Sequence, residues 1–433
     1  MFFIFTGFKN WPSIAVVAST LMTLLFSHTS LSEAYTVKYE VELKPRKKIA
    51  EVSINLEHQA QVKSIDFNLS RSQCSRFKSS DKIEKSGDRL IWFPDEERAS
   101  LSYRCRIKHK RDGKNNDGYD ASITRDWTIF RGDDLVPPAR VVATKGASSD
   151  ATLSFTLPDS WPAVNTGWPA IDPEAKPSLN YKIDKPDRDF DRPTGWMIAG
   201  DLGTRRVELD SGKQKTRVSV SAPKGSEFRR MDALAFIIMA WPEMSKAFPI
   251  TADELLIVGG DDPMWRGGLS ASNSLYVHSS RPIVSENGTS TLIHELFHML
   301  TGIRGKKGHD WIAEGLAEFY SIELLYRMGA SNDERRAITL DSLEEWSSDV
   351  STLIASSSSG SRTAAAVLLF YELDEEIRSL TNGQKNVDGI TRELVSIAEK
   401  GRRVSLDDVK NIFKETTGEK SKTLSSSLLN KKT

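Results

Sequence analysis

Cysteine is scarce in this chain, whose 433 residues include only Cys74 and Cys105. Two thiols form at most one disulfide, so the fold needs a substantial apolar core, which a hydrophobic fraction of 39% permits. Because the N-terminus carries an export signal, described below, we predict that the two cysteines pair with each other and do not bind a metal.

An excess of charge of either sign is also absent. Lysine and arginine number 59, aspartate and glutamate number 59, and the formal net charge is zero. A chain without net charge creates no global field that attracts nucleic acid or an anionic membrane. The short basic run Lys108–Arg111 abuts a turn rich in glycine, asparagine and aspartate, and we interpret it as a solvated hairpin end. We therefore predict no nucleic-acid partner.

The N-terminal apolar stretch is too short for a membrane span, which needs about twenty apolar residues. It runs from Ile14 to Phe26 with polar interruptions, follows Lys9, and precedes the small-residue cleavage site Ser32-Glu33-Ala34. We predict a signal peptide at residues 1–34 and an exported protein, either periplasmic or extracellular. The alternative is an uncleaved segment, which would hold the protein at a membrane.

Apolar and polar residues alternate after the signal segment. Apolar side chains occupy every second position from Tyr35 to Leu43, and the pattern returns at Val52–Leu56, Leu101–Ile107 and Leu153–Leu157. A period of two predicts half-buried strands. The sequence therefore predicts an N-terminal antiparallel β-sandwich-like domain, with Cys105 on an inward face.

Helical signals dominate the C-terminal half, so the predicted fold class is α+β. We predict an apolar helix from Met231 to Met239, a strand from Glu254 to Val258, and helices at Arg362–Leu380, Val387–Lys400 and Ser405–Thr416. The predicted divisions are residues 1–34 (signal peptide), 35–160 (β-rich domain), 161–225 (loop-rich β junction), 226–385 (catalytic domain), 386–418 (C-terminal helices) and 419–433 (disordered tail).

The most informative segment of the chain is a His-Glu-x-x-His motif at His294–His298. On a helix, residues four apart lie one turn above each other, so His294 and His298 can bind one Zn²⁺ while Glu295 points toward a water molecule. Hydroxyl residues before the motif offer an N-cap, and Gly302 offers a stop. The motif has only three fixed positions and also occurs by chance, so the surrounding sequence decides whether it marks a zinc site.

A third ligand is expected from the segment that begins at Asp310, which we predict to cap a second helix. Glu314 and Glu318 lie one turn apart on that helix, and we predict Glu314 as the third zinc ligand. Glu318 would accept the second N–H of a ligand histidine. The rival third ligand is His309, in a Gly/Lys-rich loop. The metzincin arrangement fails, because Arg304 stands where its third histidine would be.

These paired motifs, His-Glu-x-x-His followed by Trp-x-x-Glu-Gly-x-Ala-Glu, resemble those of the gluzincin zinc peptidases, which include thermolysin and aminopeptidase N. The order of segments is similar to the glycyl aminopeptidase family, through Gly267-Gly268-Leu269, Leu373–Arg378 and Thr381-Asn382-Gly383. The resemblance implies a thermolysin-like, mainly helical catalytic domain and one Zn²⁺ held by His294, His298 and Glu314. It also implies that Glu295 is the general base.

The chain departs from that family at three points. The glutamate and histidine that follow Gly-Gly-Leu in the family, where the glutamate helps hold the substrate's amino group, are replaced here by Ser270-Ala271. The family carries a tyrosine just before the helix that ends in this Leu373–Arg378 segment and uses it to stabilise the oxyanion, whereas this chain reads Ser-Arg-Thr-Ala-Ala-Ala there, from Ser361 to Ala366. Arg362 is a candidate substitute, although an arginine at a helix start is more often a surface residue. The family's PDZ domain is not expected, because a short tail follows Gly418.

The predicted function is an exported zinc peptidase that hydrolyses peptide bonds with Glu295 as general base, and its partner is a peptide or protein substrate. His309 and Ser270 are further candidates for substrate contact. The alternative is a catalytically weak or inactive relative that binds zinc and a peptide or protein partner. Retention of Glu295 favours the active enzyme, whereas Ser270 and Thr363 favour the alternative.

Overall fold

The computed structural model describes residues 34–57, 61–95, 98–111, 118–184, 190–212 and 214–430. The predicted signal peptide, up to residue 33, lies outside the described residues. Within the described part, every helix is too short or too polar to cross a bilayer.

The residues described in the N-terminal part of the chain form three sheets. Its elements are β1 (Tyr35–Lys44), β2 (Ile49–Glu57), β3 (Val62–Asn68), β4 (Cys74–Ser79), β5 (Lys82–Ser86), β6 (Arg89–Phe93), β7 (Arg98–Arg106), β8 (His109–Lys110), β9 (Tyr119–Ile123), β10 (Trp127–Arg131), α1 (Gly132–Leu135), β11 (Ala139–Ala143), β12 (Ser149–Thr156), β13 (Ala163–Thr166), β14 (Asn180–Ile183) and β15 (Trp196–Gly200). The strand orders are β14-β12-β1-β2-β7-β4, β13-β15-β10-β9-β8 and β11-β3-β6-β5.

These three sheets enclose one apolar core. The alternation read from the sequence is confirmed in β1, where Tyr35, Val37 and Tyr39 are fully buried and the intervening residues are not. Phe67 and Trp92 contribute from the four-stranded sheet to the same core. The prediction of a purely antiparallel arrangement is wrong at one place, because β1 runs parallel to β12. Alternation fixes which face of a strand is buried, but it carries no information on strand direction.

Cys74 and Cys105 form a disulfide, as predicted. The two residues lie directly opposite each other where β4 pairs with β7. The bond therefore ties the edge strand β4 to the sheet.

Over its described residues, the second part of the chain combines a five-stranded sheet with seven helices. Its elements are β16 (Leu202–Asp210), β17 (Lys215–Pro223), α2 (Arg230–Ala247), β18 (Glu254–Gly260), β19 (Gly268–Ala271), β20 (Ser274–His278), α3 (Thr291–Thr301), α4 (Asp310–Arg327), α5 (Asp333–Ser347), α6 (Ser361–Leu380), α7 (Val387–Glu399) and α8 (Leu406–Thr417). The strand order is β16-β17-β18-β20-β19, so β19 is an edge strand.

Two of the predicted divisions differ from the structure. The interval 161–225 is not a loop-rich junction throughout, because β16 and β17 form a long antiparallel hairpin that belongs to the second sheet. Residues 386–418 are not a separate unit, because α7 and α8 share one buried cluster with α2, α3, α4 and α6. The prolines and tryptophans that indicate a loop lie between Pro158 and Trp196, before the hairpin begins at Leu202.

The predicted disorder of the tail from residue 419 is wrong for residues 419–430, whereas the last three residues lie outside the described part. The tail forms 3-10 turns at Thr423–Ser425 and Ser427–Leu429. Leu424 and Leu429 are buried in the helical core, and Glu376 accepts hydrogen bonds from the backbone N–H groups of Lys422 and Thr423. Two leucines and one carboxylate thus order a segment whose overall composition is polar.

Candidate metal centre

Helix α3 carries the His-Glu-x-x-His motif and is delimited as the sequence predicts. The Ser290 hydroxyl accepts a hydrogen bond from the Ile293 N–H, and Gly302 adopts a left-handed conformation with φ of 60° at the C-cap. Leu296 and Phe297 are fully buried on the side that faces the core. This packing turns the opposite face, with His294 and His298, toward a cleft.

Helix α4 carries Glu314 and Glu318 and lies against α3. It begins at Asp310, but the predicted capping role of that residue is wrong, because His309 holds the N-cap position and the Asp310 carboxylate accepts a hydrogen bond from the Ser358 N–H at 2.9 Å. A Cβ atom on Gly315 would lie 2.7 Å from the Ala366 Cβ. Glycine at this position therefore permits α4 to pack closely against α6.

The three predicted metal ligands converge. The Nε2 atoms of His294 and His298 are 3.2 Å apart, and each lies 3.5 Å from a carboxylate oxygen of Glu314. A tetrahedral zinc with bonds of about 2.0–2.1 Å separates its ligand atoms by about 3.3–3.4 Å. The triangle formed by these atoms therefore has the size that one zinc ion requires. His294, His298 and Glu314 also form the one such group of metal-capable side chains in the part of the chain that the structure describes.

Glu318 orients one of the two histidines. Its Oε2 atom lies 2.9 Å from Nδ1 of His294, so a neutral His294 donates its proton to Glu318 and presents the lone pair of Nε2 to the ligand triangle. This is the supporting contact that the sequence predicts. A carboxylate behind a ligand histidine also makes that histidine a stronger donor to a metal.

The electrostatics of the cluster fit a cation. Burial disfavours protonation of His294, but hydrogen bonds with Glu314 and Glu318 outweigh it and raise the pKa of His294 to about 10. Burial likewise disfavours ionisation of Glu314, whereas the two histidines lower its pKa to about 2. The carboxylates thus hold a positive charge at this position, and a divalent cation that binds here displaces the proton.

Removal of the Glu318 carboxylate should weaken the metal site without destroying it. We expect Glu318→Ala to lower zinc affinity about 10- to 100-fold, as is typical for groups that orient a ligand. Glu318→Gln is the matched control, since its amide oxygen can still accept from Nδ1, and should lose less. Competition with a chromogenic chelator measures both. Undiminished affinity in Glu318→Ala would show that the contact is incidental.

Glu295 lies beside the ligand triangle and is held by the edge strand β19. Its Oε2 atom accepts a hydrogen bond of 2.7 Å from the backbone N–H of Ser270, and the residue is 9% exposed. Gly268 allows this approach, because a Cβ atom there would lie 2.7 Å from the Thr291 side chain and 3.1 Å from Cγ of Glu295. Ser270, predicted as a substrate contact, therefore also positions the predicted base through its backbone.

The N-terminal part of the chain supports this strand from behind. Trp196 donates its indole N–H to the Leu269 carbonyl at 2.8 Å and its backbone N–H to the Ser274 hydroxyl at 2.7 Å. Gly167 and Gly195 pack against the backbone of the β19–β20 turn, where a Cβ atom on either would lie 2.3 Å from a carbonyl oxygen. The position of β19 thus depends on contacts across the boundary between the two parts.

A cleft of about 560 Å³ contains the metal-ligand triangle and Glu295. The residues from Leu269 to Asn273 form one wall, α3 and α4 form the floor, and Arg304 and Arg403 line the cleft as well. The sequence offered no signal for Arg403, which lies about a hundred residues from the motif along the chain. The place of Arg304 in the cleft was not predicted either. In the sequence, Arg304 is notable only because it stands where a metzincin would have its third histidine.

Two of the predicted candidates are not part of this cleft. The Arg362 guanidinium donates to the carbonyl oxygens of Thr352 and Ser357, at 3.3 and 3.4 Å, and so is a structural residue at the start of α6. His309 lies at the N-cap of α4 and outside the ligand triangle, so the rival third ligand is not supported. Among the cleft-lining residues that the structure describes, there is no tyrosine.

Comparison of the sequence with models of known protein families gives no match, and comparison with curated proteins gives none either. Solved structures do match. An aminopeptidase N family protein from Idiomarina loihiensis superposes with a TM-score of 0.65 at 13% identity, covering 87% of this chain and 72% of that one. An M1 zinc metallopeptidase from Deinococcus radiodurans gives 0.59 at 14% identity, covering 93% and 94%. Yeast LTA4 hydrolase gives 0.54 at 15%, covering 90% and 65%. The chain therefore has the fold of these proteins.

Proposed function

We propose that this chain is an exported, gluzincin-type zinc peptidase that hydrolyses peptide bonds. The observation that carries the proposal is the convergence of His294, His298 and Glu314 on one point beside Glu295, within a cleft. The fold shared with M1 zinc metallopeptidases supports it. A mutant of the Deinococcus radiodurans enzyme has been solved with a Tyr-Ser-Ala substrate, so a protein of this fold accepts a short peptide.

Three protein ligands would leave one position on the ion open for catalysis. When bound, zinc would supply a Lewis acid that polarises the peptide carbonyl and lowers the pKa of water at the open position toward about 7. Glu295 then takes the proton of the attacking water and passes it to the departing amine. The Ser270 N–H holds Oε2 of Glu295, and this contact leaves Oε1 for proton transfer.

The edge strand β19 is the natural place for a substrate. Among the described residues no strand neighbours its outer edge, so an extended peptide can pair there through main-chain groups other than the Ser270 N–H, which donates to Glu295. A peptide in that position would pass over Glu295 and the ligand triangle, because Ser270 contacts Glu295 directly. We infer that substrates bind as an added strand at this edge.

Strand β19 lacks an acidic side chain, since its residues are Gly268, Leu269, Ser270 and Ala271. A general aminopeptidase needs a carboxylate that holds the α-amino group of its substrate. We therefore propose cleavage within polypeptides or at an unusual N-terminus. Loss of one oxyanion donor typically costs about a hundredfold or more in turnover, so the absence of a tyrosine among the described cleft-lining residues predicts slow catalysis or a substitute donor.

A second candidate function is binding of a peptide or protein partner without turnover. Ser270 in place of the family's glutamate and the tyrosine-free cleft favour it. Both candidates require zinc and an open cleft, and they differ only in whether bonds are cleaved.

A peptide-library digest with zinc-loaded protein, analysed by mass spectrometry, distinguishes the two functions. We expect cuts within peptides, including those with blocked N-termini, and we expect chelation to abolish the cuts and added zinc to restore them. Cleavage restricted to free N-termini would instead indicate an aminopeptidase. A zinc-loaded protein that binds peptides but cleaves none would favour the partner-binding alternative.

A further inference from the structure

Arg304 and Arg403 lie side by side at the cleft. The segment after α3 pairs with the segment before α8 through a parallel bridge between Gly305 and Val404. The Val404 N–H donates to the Arg304 carbonyl at 2.9 Å, and the Lys306 N–H donates to the Val404 carbonyl at 2.7 Å. Because side chains alternate along such a bridge, Arg304 and Arg403 project from the same face.

Both residues line the same cleft as the ligand triangle. Arg403 is further fixed by a hydrogen bond from its NH1 group to the Gly305 carbonyl at 3.1 Å. The neighbouring Arg402 has a different environment, since it does not line the cleft and faces Asp408 at 3.6 Å. The chain therefore places two of three nearby arginines toward the proposed substrate.

The charges of Arg304 and Arg403 are not matched by the protein. Neither forms an ion pair with a carboxylate among the residues that the structure describes, although Asp310, Glu295 and Glu314 line the same cleft. Glu314 instead faces the two histidines, and Asp310 accepts from the Ser358 N–H. Both residues are exposed and, among the described residues, have no carboxylate of their own, so their guanidinium donors are available to an anion.

We propose that Arg304 and Arg403 form a carboxylate-binding subsite. Preferred substrates then carry an acidic side chain or a free C-terminal carboxylate on the side of the scissile bond that faces these two arginines. The inference rests on the proposed function. Arginine suits the role, because its planar guanidinium binds a carboxylate through two parallel hydrogen bonds. Because the subsite faces one part of the cleft only, a carboxylate bound there also fixes the direction in which the peptide runs along the cleft.

Binding can be measured separately from turnover with zinc-loaded Glu295→Gln protein. Three matched peptides are compared by calorimetry: one with glutamate and an amidated C-terminus, one with glutamine and a free C-terminus, and one with glutamine and an amidated C-terminus. We expect at least one carboxylate-bearing peptide to bind about tenfold or more tightly than the neutral one. The peptide that gains affinity identifies whether the side chain or the C-terminus is recognised.

Arg304→Gln with Arg403→Gln, introduced into the same background, should remove this preference, so that the three peptides bind with equal affinity. Arg402→Gln is the matched control and should retain the preference. Equal affinity for all three peptides in Glu295→Gln protein that retains both arginines, or an unaltered preference in the double variant, overturns the subsite even when wild-type protein cleaves peptides. If zinc-loaded wild-type protein cleaves no peptide and zinc-loaded Glu295→Gln protein binds none of the three, the proposed function is overturned together with the subsite.

Discussion

Glu295→Gln should keep its zinc and lose turnover by about 10²- to 10⁴-fold, the usual contribution of a positioned general base. The substitution preserves shape, and the amide oxygen can still accept the Ser270 N–H that now binds Oε2 at 2.7 Å. What it removes is the capacity to take a proton. The measurement is steady-state hydrolysis of a peptide identified in the library digest, with zinc content determined on the same samples.

The matched control is Glu344→Gln, at an exposed position of α5 remote from the cleft, and its turnover should equal that of the wild type. Undiminished hydrolysis by Glu295→Gln would assign proton transfer to another group. Asp310 would then be examined, because it is a cleft-lining carboxylate outside the ligand triangle.

Glu314→Ala should have the second-largest effect, a loss of zinc. Its carboxylate lies 3.5 Å from both histidine Nε2 atoms and is the only anionic member of the triangle, so without it two neutral donors remain. We expect affinity to fall by more than the roughly 100-fold that marks the upper range for groups that merely orient a ligand. Metal analysis after dialysis against a weak chelator should show far less than one ion per chain.

His309→Ala separates the two candidate third ligands. Since His309 lies outside the triangle, this variant should retain zinc as the wild type does. Full zinc in Glu314→Ala combined with loss of zinc in His309→Ala would reverse the assignment. Circular dichroism of each variant shows whether a loss of metal follows from a loss of fold.

Much of the site could be predicted from the sequence because its parts are local. The i, i+4 spacing of His294 and His298 dictates their common face on any helix, and the same spacing relates Glu314 and Glu318. Ser290 and Gly302 mark the ends of α3 through their own backbone preferences. The strands of the first domain were equally accessible, since alternation such as that from Tyr35 to Leu43 depends only on which side of a strand is buried.

The remaining features depend on contacts between residues distant in the chain. Only the fold brings the Ser270 N–H to Glu295, and only the fold places the Trp196 indole where it donates to the Leu269 carbonyl of the same strand. Arg403 reaches the cleft because its segment pairs with the residues that follow α3. Contacts made by the fold also explain why the prediction of Arg362 as an oxyanion donor was wrong, because its guanidinium donates instead to the carbonyl oxygens of Thr352 and Ser357.

The parallel pairing of β1 with β12 and the ordered tail show two further limits of composition and periodicity. Period-two alternation is identical in parallel and antiparallel strands, so the direction of β12 was not encoded in it. A short Lys/Ser-rich tail resembles a disordered segment, yet burial of Leu424 and Leu429 and hydrogen bonds to Glu376 dock it on the helices. In both cases the outcome depends on the surface against which the segment packs, and the segment's own sequence pattern does not determine it.

A crystal structure of zinc-loaded protein, with anomalous diffraction recorded on both sides of the zinc absorption edge, tests the central claim most directly. We predict one strong anomalous peak about 2.0–2.2 Å from Nε2 of His294, Nε2 of His298 and a carboxylate oxygen of Glu314. A peak bound by other side chains would contradict the account. So would the absence of a peak at these three residues in protein that is shown to contain stoichiometric zinc.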